Sequence, residues 1–213
     1  MLPQYRKTWS IFRSLAECKD LRGYLTGLKE HELGTFYHSL QVGILSIDLG
    51  IENCVNKGLL YSLGYAGMLH DLGKEDIPLE ILIKDGPLTA EERAVIETHP
   101  RLGFLFAENN SLETTKKVVV AHHEYKRKPY PREGIDRRTA PRGTEERRIY
   151  NPRIVQLAQM VAAADLYDAL TSARSYKKPW PIARVENVLR QEYLGDQRYI
   201  DQLLRWHRQE KSL

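Results

Sequence analysis

Five of the seven histidines in the chain occupy positions where an imidazole ring can serve as a metal ligand. They are His38, His70, His99, His122 and His123. Asp71 follows His70 directly, and Asp165 lies on the apolar face of an alanine-rich segment, AQMVAAADLYDAL. Neutral imidazole binds many divalent metals, a carboxylate can bridge two of them, and a buried carboxylate needs a compensating cation. A single buried histidine is more often a hydrogen-bonded core residue, but the joint pattern favours a metal site.

The segments that carry these residues have the period of α-helices. Apolar residues spaced by three and four recur at Leu33, Tyr37, Leu40, Ile44, Ile47 and Ile51. Thr89 and Glu92 form a capping box, and Asn151 followed by Pro152 is typical of a helix start. Further signals are a break at His99-Pro100, a helix over Thr115–His123, a helix after Pro181, and a last helix carrying Tyr199, Leu203 and Trp206. No segment alternates like a strand, so the sequence predicts an all-α fold around one core.

The composition is that of an ordinary globular protein. Of the 213 residues, 42% are hydrophobic and 28% are charged, which argues against disorder. Cys18 and Cys54 lack the spacing of a zinc site, and free thiols are typical of a reducing compartment. No apolar run reaches the ~20 residues of a membrane span, and the start, MLPQYRKTWS, lacks the apolar core of a secretory signal. We therefore expect a cytoplasmic protein that does not bind a membrane.

The excess positive charge of the chain is concentrated in one segment. Residues 126–148 contain nine basic and four acidic residues, a net charge of +5, whereas the whole chain has a net charge of +4. Residues 125–150 also lack apolar periodicity, which predicts a long loop. Because this loop follows His122 and His123 directly, it is expected to attract phosphate to the rim of the metal site. Nucleic-acid binding through the loop is a less favoured alternative, which predicts a steep dependence of affinity on salt.

Several motifs together resemble one known family. They are HSLQV, MLHDLGKEDIP, ILIKDGPLTAEERAVIETHPRLG, VVAHHE and RIVQLAQMVAAADLYDALTSARSYKK. In order and spacing they resemble the HD superfamily of metal-dependent phosphohydrolases and, more narrowly, its HD-GYP branch of bacterial cyclic di-GMP phosphodiesterases. The resemblance covers residues 30–180 and implies an HD-domain helical bundle around a buried dinuclear metal site. A helical lead-in over residues 1–29 and C-terminal helices over residues 181–213, packed on the same domain, complete the expected organisation.

The resemblance also implies a role for each candidate residue. One metal is expected on His38, His70, Asp71 and Asp165, and a second on His99, His122 and His123, with Asp71 bridging the two. Lys74 matches the active-site lysine of the family. On the substrate side the resemblance implies Tyr130, Arg174 and Lys177, although basic residues such as Arg174 and Lys177 are also typical of a solvated helix end. Asp168, three residues after Asp165, is also placed on the substrate side, as a partner of Arg174, or else supports a metal ligand. Two metal ions lower the pKa of a bridging water, whose hydroxide attacks phosphorus in line while Lys74 stabilises the developing charge.

The ligand types narrow the choice of metal. Imidazole and carboxylate ligands without a thiolate suit several divalent ions. The resemblance favours iron or manganese, and leaves zinc, nickel and magnesium open. Gly34 occupies the position where some family members carry a glutamate for a third metal, so two ions are expected.

The loop that names the branch departs from the family pattern. Tyr130 and Pro131 are retained, but Pro129 replaces the glycine and the preceding Asp-Gly is absent. Proline fixes φ and lacks an N–H donor, so the loop cannot hold the same shape. Hydrolysis of cyclic di-GMP is the first expectation. The alternatives are hydrolysis of another nucleotide or phosphate ester, and a non-catalytic nucleotide-binding signalling domain. A nucleotide or phosphodiester is the expected partner, and a homodimer is left open.

Overall fold

A computed structural model describes residues 3–106, 113–127, 151–172 and 180–210. The helices are α1 (Pro3–Ala16), α2 (Lys19–His31), α3 (Leu33–Glu52), α4 (Lys57–Leu69), a 3-10 helix (Leu72–Asp76), α5 (Leu79–Leu82), α6 (Ala90–Ile96), α7 (His99–Phe106), α8 (Glu113–Ala121), α9 (Pro152–Thr171), α10 (Ile182–Glu192) and α11 (Gln197–Glu210). The part of the chain that the structure describes contains no strand, and its β pairing is limited to an isolated bridge between Lys126 and Tyr193. The all-α prediction is therefore confirmed. Within the same residues, no helix combines the length and the apolar character needed to cross a bilayer.

The predicted helix boundaries are close to the observed ones. Thr89 and Glu92 form the expected reciprocal capping box at α6, and Asn151 caps α9 by accepting a hydrogen bond from the N–H of Arg153. The break expected at His99-Pro100 lies slightly earlier, because α6 ends at Ile96 and α7 begins at His99 itself. A proline is compatible with the first turn of a helix, where its missing N–H has no intrahelical partner. The helix predicted over Thr115–His123 ends at Ala121, which leaves the paired histidines just beyond its end.

The core is built where α3 and α9, the two longest helices, pack together and against α4. The buried face of α9 consists largely of small side chains, which allow its neighbours to approach closely. Its fully buried alanines are Ala158, Ala162, Ala163 and Ala164. α10 and α11 pack on the same helix, and their apolar residues belong to the same hydrophobic core as those of α3 and α4. One core thus surrounds the faces of α3, α4 and α9 that carry the candidate ligands.

Two glycines set the distance between α3 and α4. A Cβ atom added to Gly67 would lie 2.9 Å from the Cα of Gly43, and one added to Gly43 would lie 2.5 Å from the Cγ of Met68. Neither position can carry a side chain without moving its neighbour. The close crossing brings the rings of His38 and His70 to 5.1 Å between centroids.

Candidate metal centre

Eight acidic and imidazole side chains converge between α3, α4, α7, α8 and α9. They are His38, His70, Asp71, His99, His122, His123, Asp165 and Asp168, and every one of them is buried. Three overlapping groups bring their ligand atoms within 4.8 Å of one another: His38 with His70 and Asp165, His70 with Asp71 and His122, and His99 with His122 and His123. The structure therefore brings together all seven residues that the sequence predicted as metal ligands.

Hydrogen bonds to the backbone orient three of the imidazole rings. The Nδ1–H groups of His70 and His99 donate to the carbonyl oxygens three residues earlier, at Gly67 and Ile96, with N···O distances of 2.8 Å in both cases. His122 makes the same bond to the carbonyl of Val119. A neutral ring that donates from Nδ1 carries its lone pair on Nε2, so each bond selects the tautomer that presents Nε2 to the cluster.

His38 joins α3 to two carboxylates of α9. Its Nδ1 lies 2.6 Å from Oδ2 of Asp168, and its Nε2 lies 3.1 Å from Oδ1 of Asp165. Asp168 also accepts a hydrogen bond from the hydroxyl of Ser172 one turn further along the chain. The two aspartates lie three residues apart on the same side of α9, which is why both reach one histidine. Asp165 faces the other candidate metal ligands at the Nε2 side of the His38 ring, whereas Asp168 holds the ring at its Nδ1 side.

Asp71 lies between the two sets of histidines. One of its oxygens, Oδ1, is 3.1 Å from Nε2 of His99. The other, Oδ2, is 3.4 Å from Nε2 of His70 and 2.6 Å from Nζ of Lys74. Each oxygen thus faces a different set of imidazoles, as expected for a bridging carboxylate. Lys74 lies in the 3-10 helix, three residues after Asp71, and its side chain is 17% exposed.

The second set of histidines is compact. Nε2 of His99 lies 3.4 Å from Nε2 of His122 and 3.2 Å from Nε2 of His123. Ligand atoms about 2.1 Å from a tetrahedral or octahedral metal ion are separated by about 3.0 to 3.4 Å. The observed separations match that range, so the three nitrogens fit around one ion.

Gly73 allows α7 to deliver His99 to this cluster. A Cβ atom added to Gly73 would lie 2.1 Å from the carbonyl oxygen of His99 and 2.6 Å from the backbone N of Gly103. Both contacts are with backbone, which cannot rotate away. The chain after Asp71 and the start of α7 can approach this closely only because residue 73 has no side chain.

Lys126 is a residue of the site that sequence reasoning missed. Its Nζ lies 3.0 Å from Oδ2 of Asp165, and its side chain is 20% exposed. In the sequence, Lys126 is one of nine basic residues between residues 126 and 148, and nothing in the pattern gives it a role of its own. Its position three residues after His123 was the available signal, but only the folded chain shows which carboxylate it reaches.

Burial keeps the histidines of the second set neutral. It lowers the pKa of His99, although the neighbouring Asp71 opposes the shift. Burial, together with the other imidazoles, holds the pKa values of His122 and His123 well below the usual value for histidine. A metal ion binds the neutral imidazole, so these rings are ready to bind at neutral pH without first losing a proton.

The two central aspartates are held in the charged state. Burial alone raises the pKa of Asp71, but Lys74 and His70 outweigh it and hold the pKa well below the usual value. Burial likewise opposes ionisation of Asp165, whereas Lys126 and His38 hold its pKa well below the usual value. The site therefore combines the anionic carboxylates of Asp71 and Asp165 with the neutral imidazoles of His99, His122 and His123. Anionic oxygen and neutral nitrogen donors are the ligand types that several divalent metals bind.

One buried atom that lacks a hydrogen-bond partner in the described part of the chain indicates that a metal ion fits between these residues. Nε2 of His70 is buried and has no hydrogen-bond partner among the described residues. Leaving such an atom unsatisfied costs about 1 to 3 kcal/mol. A metal ion on His38, His70 and Asp165 would satisfy it, so the residues present fit the cofactor that the resemblance implies.

The residues predicted on the substrate side fall into two groups. Tyr130, Arg174 and Lys177, together with most of the basic loop, lie outside the described residues. Asp168, predicted on the substrate side, is 2% exposed and contacts His38. The other two histidines of the chain, His31 and His207, have no predicted role and lie away from the cluster. Nε2 of His31 is 2.9 Å from the carbonyl oxygen of Ile77, and Nδ1 of His207 is 2.8 Å from the hydroxyl oxygen of Tyr167.

Comparison with known proteins agrees with this geometry. The profile of the HD domain matches residues 35–170, which include every residue of the cluster. The chain belongs to the HD domain family. The resemblance seen in the motifs is thereby confirmed, and the buried histidines and aspartates of this HD domain form groups that can hold metal ions.

Curated relatives of this HD domain are cyclic dinucleotide phosphodiesterases. A cyclic di-GMP phosphodiesterase of Thermotoga maritima is 33% identical over 79% of this chain and 42% of its own length. One from Pseudomonas aeruginosa is 35% identical over 75% of this chain and 36% of its own length. A 3'3'-cGAMP-specific phosphodiesterase of Vibrio cholerae is 31% identical over 74% of this chain and 34% of its own length. The chain thus spans well under half the length of these relatives.

Proposed function

We propose that this HD domain is a metal-dependent phosphodiesterase that hydrolyses cyclic di-GMP with two divalent metal ions, iron or manganese in preference to others. The observation that carries the proposal is the position of Asp71 between two sets of imidazoles, with one oxygen facing each set. Relatives that are named cyclic di-GMP phosphodiesterases support the substrate.

Each ion has a set of ligands in this proposal. His38, His70, Asp165 and Oδ2 of Asp71 would hold one, and His99, His122, His123 and Oδ1 of Asp71 the other. Two ions held this way would neutralise a phosphodiester and lower the pKa of a bound water, so that its hydroxide can attack phosphorus.

The protein side chains supply position and charge. Asp168 fixes the His38 ring through its Nδ1–H group, and the backbone carbonyls fix His70, His99 and His122. Lys74 is partly exposed beside Asp71, where its ammonium group would stabilise negative charge that develops on the leaving oxygen. Because these groups are oriented before the substrate arrives, little reorganisation is needed during the reaction.

The test is turnover by purified protein loaded with Mn²⁺ or Fe²⁺. Bound metal is measured by elemental analysis, and the linear product of cyclic di-GMP is measured by chromatography. We expect two ions per chain and a linear dinucleotide product, both absent in an Asp71→Ala variant. Full metal loading without hydrolysis of any cyclic dinucleotide would refute the proposal.

A second substrate is favoured by a separate observation. Vibrio cholerae relatives are named as specific for 3'3'-cGAMP, and Pro129 replaces the glycine of the loop pattern. We therefore propose cyclic GMP-AMP as the alternative substrate of the same centre. Competition between the two cyclic dinucleotides in one reaction, read as the ratio of their kcat/KM values, decides which is preferred.

A further inference from the structure

The ammonium group of Lys126 is the second positive side-chain charge in the described part of the centre. Lys74 pairs with Asp71, and Lys126 pairs with Asp165 at 3.0 Å. Both lysines are partly exposed, at 17% and 20% of the side chain, whereas the aspartates they contact are buried. The two ammonium groups therefore lie where the buried cluster meets solvent.

The backbone around Lys126 is held by the C-terminal helices. The N–H of Arg127 donates to the carbonyl of Glu192 at 2.9 Å, and the N–H of Leu194 donates to the carbonyl of Tyr125 at 2.8 Å. Between these bonds, Lys126 forms a β-bridge with Tyr193. Residues 125–127 are thus paired on both sides of the lysine, which limits the positions that its side chain can take.

Tyr193 connects this bridge to the helix that carries Asp165. Its ring is 1% exposed, and its hydroxyl donates to the carbonyl of Gln159 in α9 at 3.0 Å. Asp165 is in the same helix, less than two turns further along the chain. The lysine and its carboxylate are therefore positioned by one packed unit of residues 125–127, residues 192–194 and α9.

The charges in the site indicate what this lysine does when metal is bound. Counting carboxylates and ammonium groups alone, Asp71, Asp165 and Asp168 with Lys74 and Lys126 leave one negative charge. Two divalent ions change that balance to three positive charges. With metal bound, Asp165 would have a metal ion as its counter-ion, and repulsion from the two cations would favour movement of the Lys126 ammonium group away from the carboxylate. Its flexible four-carbon stem allows it to reach an anion at the mouth of the site.

We propose that Lys126 is a substrate-binding residue whose ammonium group pairs with Asp165 in the metal-free site and with a non-bridging phosphate oxygen of the substrate in the metal-loaded site. This inference rests on the proposed phosphodiesterase function. It assigns phosphate recognition to a residue outside the ligand set and outside Lys74, in the segment where the sequence departs from the family pattern.

The experiment compares Lys126→Met with Arg127→Met in the Mn²⁺-loaded protein. Methionine keeps most of the apolar stem of lysine and removes the charge. Arg127 is the neighbouring exposed residue of the same basic segment. Its substitution removes one charge of that segment but leaves the Lys126–Asp165 pair in place, so the comparison separates general attraction of phosphate by the segment from the specific contact of Lys126. Calorimetry with inorganic phosphate measures anion affinity directly, elemental analysis measures bound metal, and steady-state kinetics separate KM from kcat.

Lys126→Met is expected to retain its metal and to bind phosphate about tenfold to a hundredfold more weakly, since a hydrogen bond to a charged group is lost. KM should rise by a similar factor. Arg127→Met should change both values less than twofold, and Lys126→Arg should recover part of the affinity.

Two results would overturn the inference. In one, Lys126→Met weakens phosphate binding no more than Arg127→Met does. In the other, Lys126→Met loses its metal, which would make the lysine part of the metal centre instead of the substrate site. Because phosphate binding is measured without turnover, a protein that binds phosphate through Lys126 but cleaves no cyclic dinucleotide would refute the proposed function alone.

Discussion

Asp168 and His38 form a buried hydrogen bond between α9 and α3, with 2.6 Å between Oδ2 and Nδ1. The bond fixes the tautomer of His38 and orients its Nε2 toward Asp165 and Asp71. A carboxylate behind a metal-ligating histidine also makes the ring a stronger base. In the proposed metal centre, Asp168 would therefore act through the His38 ring without contacting a metal ion itself.

Substitution of Asp168 by Asn should weaken metal binding while the fold is retained. The amide oxygen still accepts the hydrogen bond from Nδ1–H, but the negative charge is lost, and such changes typically cost about tenfold to a hundredfold in metal affinity. Competition with a chromophoric chelator measures the affinity for Mn²⁺. The control is Asp201→Asn, since Asp201 is an exposed carboxylate in α11. Equal affinities of the two variants would contradict the prediction.

The two sets of histidines should lose metal independently. His122→Ala and His123→Ala together remove two of the three imidazoles of the compact set, whereas His38 and Asp165 remain. We expect the metal content to fall from two ions per chain to one, and hydrolysis to be lost. Elemental analysis after exhaustive dialysis reports the stoichiometry. A double variant that still binds two ions would place the second ion elsewhere.

Much of this fold was accessible from local sequence signals. The capping box at Thr89 and the Asn151-Pro152 start of α9 depend on neighbours in the chain, and both were correctly predicted. The clustering of the predicted metal ligands followed from their placement on helices and from the family resemblance. Residue chemistry singled out the histidines and aspartates as candidate ligands, and the family resemblance implied which of them share a metal ion.

The parts of the site that depend on long-range contacts could not be predicted. Lys126 reaches Asp165 because residues 125–127 pair with residues 192–194, a contact between segments far apart in the chain. The sequence left open whether Asp168 pairs with Arg174 or supports a metal ligand, and only its contact with His38, 130 residues earlier in the chain, places it behind that ring. The closeness of α7 to the 3-10 helix depends on Gly73, and a glycine in HDLGK does not indicate which backbone lies against it.

Acidification should destabilise the metal-free protein in two stages. His99, His122 and His123 have lowered pKa values, so below about pH 6.5 the unfolded state takes up protons that the folded state does not. For each ring that stays neutral in the folded state, the free energy of unfolding falls by about 1.4 kcal/mol per pH unit. The lowered pKa values of Asp71 and Asp165 act in the same direction at lower pH, because their stabilisation is lost as the carboxylates protonate.

Urea unfolding followed by circular dichroism between pH 7.5 and pH 5 measures this dependence. The free energy of unfolding is expected to fall steadily below pH 6.5, and His122→Ala with His123→Ala should flatten the fall. A protein that is as stable at pH 5 as at pH 7.5 would show that these imidazoles are protonated in the folded state.

Gly73→Ala should both destabilise the protein and remove one metal ion. The new methyl group would lie 2.1 Å from the carbonyl oxygen of His99 and 2.6 Å from the N of Gly103, so α7 must move away from the 3-10 helix. Forcing atoms into a packed region costs about 1 to 3 kcal/mol, and a shift of α7 carries His99 away from Asp71 and His123. Urea unfolding measures the first effect, and elemental analysis measures the second.

Gly23→Ala is the matched control for this substitution. Gly23 lies in α2, and a Cβ atom added there meets nothing within 4 Å. Alanine is favoured over glycine inside a helix by about 0.8 to 1.0 kcal/mol, so this variant should be slightly more stable than the parent protein and should keep both ions. Opposite signs of the two stability changes, with metal lost only from Gly73→Ala, would establish that the close approach at residue 73 builds the second half of the centre. If Gly73→Ala keeps two ions and full stability, α7 reaches the cluster by some other means than this contact.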